Sequence, residues 1–454
     1  MRAPIDSGHY ATASAVVNAC YNGRVTEAPR VVVVGAGFAG LHAVRRLARA
    51  RVPTLWIDRR NYHAFLPLCY QVATAGLEPQ EIAYPARSIL RRLPSVDFRL
   101  AEIASASPRE RLLLTTDGER IPYDYLIVAA GGRAQDFGIP GVGDSTFGLY
   151  DVEDARRLRN HLLRVLEHAS VTDDEDARAA LLTFVIVGGG PTGVETAGAL
   201  AEFRRHVLPR DYRRLRDASM RIVLVEAGPD LLPPFAPRLR ARARHDLEST
   251  FHVEVRANTR VSAVTADGVT FADGEHLPTA TVIWAAGIQA SAVAARLGLP
   301  TGTSGRLRVD ETLRVVGEDR IFAAGDVALV EGVDVPQLAQ GAIQGGRHAA
   351  ANVLRAYDGA PLLPFRYRDK GVMATIGRSR AVATIAGWSL AGWFAWWCWL
   401  AVHLVMLVGF RNRLVVFVNW VWNYLTYDRG LRAILGAPPA EAPPAPQKKT
   451  GSVP

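Results

Sequence analysis

"RVVVVGAGFAGLHAVRRLARA", Arg30–Ala50, decides the fold. Its four valines, Val31 to Val34, show no alternation of apolar and polar positions, so they read as a strand buried on both faces. The chain turns through Gly35-x-Gly37-x-x-Gly40 and continues with helical periodicity. The first glycine permits a tight turn, the second lets backbone reach a pyrophosphate, and the third lets helix pack on strand. The helix N-terminus adds amide donors and positive potential for phosphates. "TLWID" makes the next strand and ends at Asp58, 23 residues after Gly35, where a carboxylate is placed to accept hydrogen bonds from ribose hydroxyls. A lone glycine-rich turn is a weak signal. Strand, turn, helix, strand and acid in that order specify a dinucleotide-binding unit.

The unit recurs. "LTFVIVGGGPTGVETAGALAEF" carries Gly188-x-Gly190-x-x-Gly193 between strand and helix, and "MRIVLVEAGPDLL" supplies a strand ending in Glu226. The interval from Gly188 to that acid is 38 residues, because the basic "RRHVLPRDYRRLRDAS" intervenes. Glu226 would repel a 2′-phosphate, which favours NADH over NADPH. Three further strands end in small-residue turns: "YDYLIVAAGG" (Tyr123–Gly132), "ATVIWAAGI" (Ala280–Ile288) and "RIFAAGDVA" (Arg320–Ala328). The last ends at Gly325-Asp326, and the C-terminal end of a strand is where α/β sheets bind ligands; the plain alternative for Asp326 is a helix N-cap. Two dinucleotide folds in one chain imply one bound flavin and one exchanging nicotinamide.

Composition narrows the partners. At 454 residues with 49% hydrophobic residues and 40 glycines, the chain reads as a multidomain α/β protein. Cys20, Cys69 and Cys398 stand far apart, which excludes a disulfide framework, a cysteine-based zinc site and a dithiol redox centre and fits a reducing, cytoplasm-facing compartment. The net charge is +9, and the stretch from Arg366 to Arg432 alone holds +7, nine Lys/Arg against Asp369 and Asp428. That stretch also contains "GWSLAGWFAWWCWLAVHLVMLVGFRNR", Gly387–Arg413. Basic residues interleaved with Trp, Phe and Leu match an anionic lipid surface; nucleic acid has no use for that aliphatic surface. Residues 1–28 lack the apolar core of a signal peptide and the arginines of a transit peptide, and read as an unordered extension. The Pro/Ala-rich tail, 436–454, reads as disordered.

Between Arg380 and Arg411 lie 30 residues without Asp, Glu, Lys or Arg. As one helix that is about 45 Å, more than the hydrocarbon core requires. Three features oppose a span. Gly387, Gly392 and Gly409 interrupt the run, arginine pairs flank both ends, and seven of the nine tryptophans fall at 388–422, a density suited to the interface. "LVVFVNWVWNYL", Leu414–Leu425, is too short to cross.

Taken together the motifs resemble the two-dinucleotide-binding-domain flavoproteins, and within them the type II NADH:quinone oxidoreductases, the single-subunit dehydrogenases that pump no protons. The closer resemblance rests on "RNYHAFLPLCYQVATAGLEPQEIAYPAR", "VGGGPTGVETAGALAE", "PQLAQGAIQGGRHAAANV", "FRYRDKGVMATIGRSRAVA" and "FRNRLVVFVNWVWNYLTYDRG". It implies a glutathione-reductase-like pair of Rossmann domains, with FAD-binding parts at 29–150 and 296–365, an NADH-binding domain at 151–295 and a membrane-associating region at 366–435. It implies non-covalent FAD on Gly35, Gly37, Phe38, Ala39, Gly40, Asp58, Ala130, Gly131 and Gln340, with Asp326 on the ribitol. NADH would use Gly188, Gly190, Pro191, Thr192, Gly193, Glu195, Glu226 and Gly287.

The resemblance further implies a quinone pocket at Gln340, Gln344 and Lys370. The four-residue interval puts both amides on one helical face, and amides bond a quinone carbonyl without adding charge. Lys370 beside a flavin would stabilise developing anionic oxygen; otherwise it is a solvated charge. Glu195 reads as a residue of the helix's first turn, either near the nicotinamide and quinone or simply favoured by the helix dipole. Cys69 reads as a small hydrophobe, with Gln71 and Thr74 nearby. The function implied is electron transfer from NADH through FAD to a membrane quinone, ubiquinone or menaquinone, without a metal. Attachment would be monotopic, on the cytoplasmic face of the cell membrane, and a homodimer is left open. The alternatives are a ferredoxin-reductase-like flavoenzyme and a non-enzymatic membrane-bound NADH-binding protein.

Overall fold

A computed structural model describes residues 30–215, 220–426 and 432–435. The extension 1–28, Cys20, Asp428 and the tail 436–454 lie outside the described residues. Two parallel sheets organise the chain. The first runs Ile321–Ala323, Tyr125–Val128, Val31–Val34, Thr54–Asp58, Val96–Leu100, and the second runs Thr281–Trp284, Thr183–Val187, Arg221–Val225, Glu254–Arg256. Each sheet is entered at its middle by the strand that leads into a glycine turn. Each is also interrupted before its fourth strand in chain order by an antiparallel meander, Ile103–Ser107 to Arg120–Pro122 in one and Val261–Val264 to His276–Pro278 in the other. The expected pair of Rossmann-like folds is present. Val31–Val34 and Thr183–Val187 are buried at every position, as their unalternating apolar runs require.

Helix Ala339–Tyr357 lies across the first glycine helix, Phe38–Arg49. Their axes approach closely because Gly346 has no side chain: a Cβ there would stand 2.1 Å from the Ala39 carbonyl oxygen. The second glycine helix, Pro191–His206, packs in the same intimate way on strand Val372–Gly377, where a Cβ on Gly198 would stand 1.8 Å from the Ile376 carbonyl oxygen.

The apolar C-terminal run is not one helix. It opens as two strands of an antiparallel sheet, Arg380–Ile385 and Trp388–Ala391, with Ser379 and Gly387 taking positive φ at the turns. Two helices follow, Trp393–Met406 and Phe410–Thr426, and no helix among the described residues is long and apolar enough to cross a membrane. Their outer faces present Phe394 at 71% and Phe410 at 81% exposure, with Trp393, Trp422 and Leu425. An apolar surface of this kind on a folded chain marks a lipid or protein contact.

Candidate functional site

The two glycine loops share one geometry. Gly35 and Gly188 both take φ +114°, which L side chains rarely adopt, and a Cβ on either would strike the backbone of the neighbouring strand's end, Ala129 or Ala285. Gly37 and Gly190 cap their helices with extended backbone, and a Cβ on either would meet nothing within 4 Å. Gly40 and Gly193 carry the close packing, each Cβ falling 1.8 or 1.9 Å from the carbonyl oxygen of the loop's first glycine. The middle glycine of each loop thus borders open space at a helix N-terminus, the feature a pyrophosphate needs.

Both acids are further engaged than their sequence positions suggest. Asp58 Oδ2 accepts from the Ala36 amide at 2.5 Å and Oδ1 from Arg60 N at 2.7 Å. Glu226 Oε2 accepts from Gly189 N at 2.6 Å and Oε1 from Gly228 N at 2.7 Å. Each carboxylate therefore braces its own glycine loop, leaving only the remaining lone pairs for a ribose. Burial raises the pKa of Asp58, against those amide bonds. Asp326 follows Gly325, which packs on the methyls of Ala39 and Ala342. Among the described residues no donor reaches its carboxylate; burial lifts its pKa to about 6, and Arg306 opposes the shift. Gly35, Asp58, Ala130 and Tyr150 line a common cavity of about 400 Å³. Gly132 lines it too, and a Cβ there would stand 3.5 Å from the Cβ of Asp326. A cavity that reaches the glycine loop at Gly35, with the unsatisfied Asp326 carboxylate beside it, fits a hydroxylated dinucleotide. Gly131 and Gly287 both take positive φ at the ends of their strands, and Tyr150 donates its hydroxyl to the Gly287 carbonyl, joining the two folds.

Gln340 and Gln344 share a face, as their spacing predicts, but that face is already occupied. Gln340 accepts from Lys370 N at 3.0 Å and donates to the Gly371 carbonyl at 3.1 Å and Asp369 Oδ1 at 3.2 Å. Gln344 exchanges two bonds with the Arg368 backbone, at 2.9 and 3.0 Å. The pair clasps segment 368–371, and of the two amides only Gln344 keeps an N–H to spare. Lys370 is exposed; it joins this clasp through its backbone, and its ammonium makes no ion pair with the described residues.

Glu195 departs from its sequence reading. The helix begins at Pro191, so Glu195 is its fifth residue rather than a member of the first turn, and the helix dipole does not explain it. It is 8% exposed, and Oε1 accepts from the Thr375 amide at 3.2 Å and the Trp399 indole at 3.1 Å. No described donor reaches Oε2. Burial without a counter-charge lifts its pKa to about 8, the two hydrogen bonds notwithstanding.

Sequence reasoning missed the groups around it. Trp399 stacks on His403 at 3.9 Å between ring centroids, and His403 Nδ1 lies 2.7 Å from the Trp399 carbonyl. Desolvation holds that imidazole neutral, its pKa near 4. Trp420 donates to Gln71 Oε1 at 2.8 Å. These tryptophans looked like interfacial anchors, yet they turn inward. The available signal was His403, the one histidine on its helix, one turn from Trp399. Cys69 is buried and its thiol pKa pushed up, as a packing residue, and Thr74 bonds the Tyr70 carbonyl. Among the described residues no acid, histidine and cysteine cluster could hold a metal.

Comparison with known proteins agrees with the pair of dinucleotide folds and the C-terminal region described above. The family model described as pyridine nucleotide-disulphide oxidoreductase matches residues 29–346, and that described as the NDH2 C-terminal domain matches 370–427. The chain is 39% identical over 421 residues to the type II NADH:quinone oxidoreductase NdhA of Mycobacterium tuberculosis, covering 89% of each chain. It is 36% identical over 415 residues to Ndh of the same organism, covering 88% of this chain and 89% of the relative. The solved structure of NDH2 from Plasmodium falciparum in complex with NADH shares the fold, with a TM-score of 0.81 at 20% identity, over 90% of this chain and all of that one. The chain belongs to the type II NADH:quinone oxidoreductases.

Proposed function

We propose that the protein oxidises NADH and reduces a membrane quinone through a non-covalently bound FAD, while attached to the cytoplasmic face of the membrane by its two C-terminal helices. One observation carries this reading: helix Pro191–His206 of the second dinucleotide fold rests directly on the sheet that bears the apolar helices, through Gly198 and Ile376. The nucleotide site and the lipid-facing surface are therefore one rigid piece. The folds divide as FAD-binding, 29–150 and 296–365, and NADH-binding, 151–295.

When bound, FAD supplies the two-electron chemistry between the soluble donor and the lipid-soluble acceptor. The residues position and exclude. Gly37 and Gly190 leave room for two pyrophosphates, Asp326 receives the flavin's polyol, and Phe38, Ala39, Ala130 and Gly131 wall that dinucleotide. Pro191, Thr192 and Gly193 open the NADH helix, with Glu226 disfavouring a 2′-phosphate and Gly287 beside the nicotinamide end. Glu195, neutral near pH 7, holds a proton at Oε2 for the quinone side. Gln344 has an N–H for a quinone carbonyl, and the Gln340 clasp sets Lys370 at the rim.

Stopped-flow absorbance tests the proposal: NADH should bleach the flavin faster than NADPH does, and a ubiquinone or menaquinone analogue should restore the colour. A colourless protein that gains neither flavin nor turnover when FAD is added rules the proposal out.

A further inference from the structure

The close approach of Gly346 to Ala39 also brings together basic side chains of the same two helices. It sets Arg347 against His42, with Arg347 Nε 3.3 Å from His42 Nδ1. His42, Arg45, Arg46, Arg49 and Arg347 together line a cavity of about 250 Å³. Positions 42, 45, 46 and 49 are three and four apart, so one helical face carries all of them. Every charge acting on His42 and Arg45 is positive, and Arg413, in the lipid-facing helix Phe410–Thr426, contributes to the field at Arg45. None of the five arginines pairs with a carboxylate of the described residues. Such crowding is unfavourable without an anion, and His42 responds by staying neutral, its pKa near 3 through burial and then Arg347.

We propose that this pocket seats the phosphate of an anionic phospholipid headgroup, at the rim of the membrane-attachment surface. Guanidinium groups present forked donors matched to phosphate oxygens, which a merely attractive basic surface does not require. Phe410 and Leu414, on the helix that bears Arg413, are exposed, so acyl chains below a seated headgroup would meet apolar side chains. The inference rests on the membrane attachment proposed above but concerns residues outside the electron-transfer site.

Flotation with vesicles tests it. Wild-type protein, the pocket variant R45Q/R49Q/R347Q and a charge-matched control, R109Q/R120Q/R238Q, are compared on phosphatidylglycerol-containing and pure phosphatidylcholine vesicles. The pocket variant should bind the anionic vesicles on the order of tenfold more weakly than the control does. It should match wild type on phosphatidylcholine and keep its turnover with a short-chain quinone in detergent, which also shows that it is folded. R45K/R49K/R347K, which retains charge and loses the fork, should recover only part of the binding. Equal losses in pocket and control variants, or full recovery by the lysine variant, would show diffuse attraction and overturn the site. Protection of wild type by inorganic phosphate against heating, with no vesicle difference between variants, would assign the pocket to free phosphate instead. If wild type itself fails to turn over in detergent, the proposed function fails while the vesicle comparison still reports on the pocket.

Discussion

Trp399, on a helix whose other face presents aromatic side chains outward, donates its indole N–H to the carboxyl group of buried Glu195 at 3.1 Å. One hydrogen bond thus joins the apolar helix pair to the second dinucleotide helix. Trp399→Phe keeps the ring against His403 and deletes that donor. Leaving a buried acceptor short of a partner costs about 1–3 kcal/mol. The variant should unfold at lower temperature and reoxidise more slowly with quinone, while its reduction by NADH stays within about twofold. Stopped-flow separates the two half-reactions; an equal slowing of both would refute the placing of Glu195, which Trp399 holds, on the quinone side.

Glu195 also predicts a pH dependence. Its pKa lies near 8 in the folded chain against an ordinary 4.5, so between these values the folded state holds a proton that the unfolded state has released. The contribution of Glu195 to stability must then fall as pH rises from about 4.5 to about 8, by up to about 1.4 kcal/mol per unit, and level off above. Glu195→Gln keeps an oxygen for Trp399 and Thr375 but cannot ionise. Denaturation midpoints should show the variant gaining on wild type between pH 5 and pH 8, by on the order of a few kcal/mol. A constant difference across that range would mean the carboxyl is not buried as described.

Both dinucleotide folds were legible because their signals are local: an unbroken valine run, glycines at fixed offsets, an acid at a strand end. The C-terminal sheet was not, because Val372–Gly377 and Arg380–Ile385 sit in a stretch dominated by basic and apolar residues. Their turn uses Ser379 at φ 60°, where glycine or asparagine would have announced it. Glu195 was found, but its setting was hidden, since its partners Thr375 and Trp399 are 180 and 204 residues away in sequence. The side-chain pairing of Gln340 and Gln344 was likewise predicted as one face, while what that face holds, segment 368–371, is a tertiary contact that no spacing reveals. The basic pocket escaped for a related reason: Arg347 and His42 meet only because Gly346 lets two distant helices touch.

Gln340→Ala tests the clasp. It removes three hydrogen bonds to residues 369–371 at a helix that remains otherwise intact. Amide exchange should quicken at Lys370 and Gly371 by at least about tenfold, with little change in helix Ala339–Tyr357, since segments with few supporting contacts open locally. The KM for quinone should rise with kcat less affected. Unchanged exchange in this segment would show that Gln340 does not hold it.

Glu226→Gln addresses nucleotide choice. The amide oxygen can accept from Gly189 or Gly228, but its NH₂ cannot serve the other amide, so the loop loosens while a negative charge disappears. NADH should bind somewhat less well, and the preference for NADH over NADPH should shrink by about tenfold, because selectivity here is repulsion of a 2′-phosphate. Measured kcat/KM ratios that stay fixed would locate the discrimination elsewhere.

The glycines of the second loop separate what the fold needs from what the ligand needs. A Cβ on Gly193 would stand 1.9 Å from the Gly188 carbonyl oxygen, backbone against backbone with no side chain to yield. Gly193→Ala must therefore push the helix off its strand, and should lose several kcal/mol of stability or fail to accumulate as folded protein. A Cβ on Gly190 meets nothing within 4 Å, and its φ of −73° suits any residue. Gly190→Ala should melt within a few degrees of wild type and keep its quinone-side reoxidation rate. Yet the methyl projects where the pyrophosphate must approach the helix N-terminus, so the KM for NADH should rise by at least about tenfold. A normal KM in Gly190→Ala would mean that the open space at this helix start is not where NADH lies.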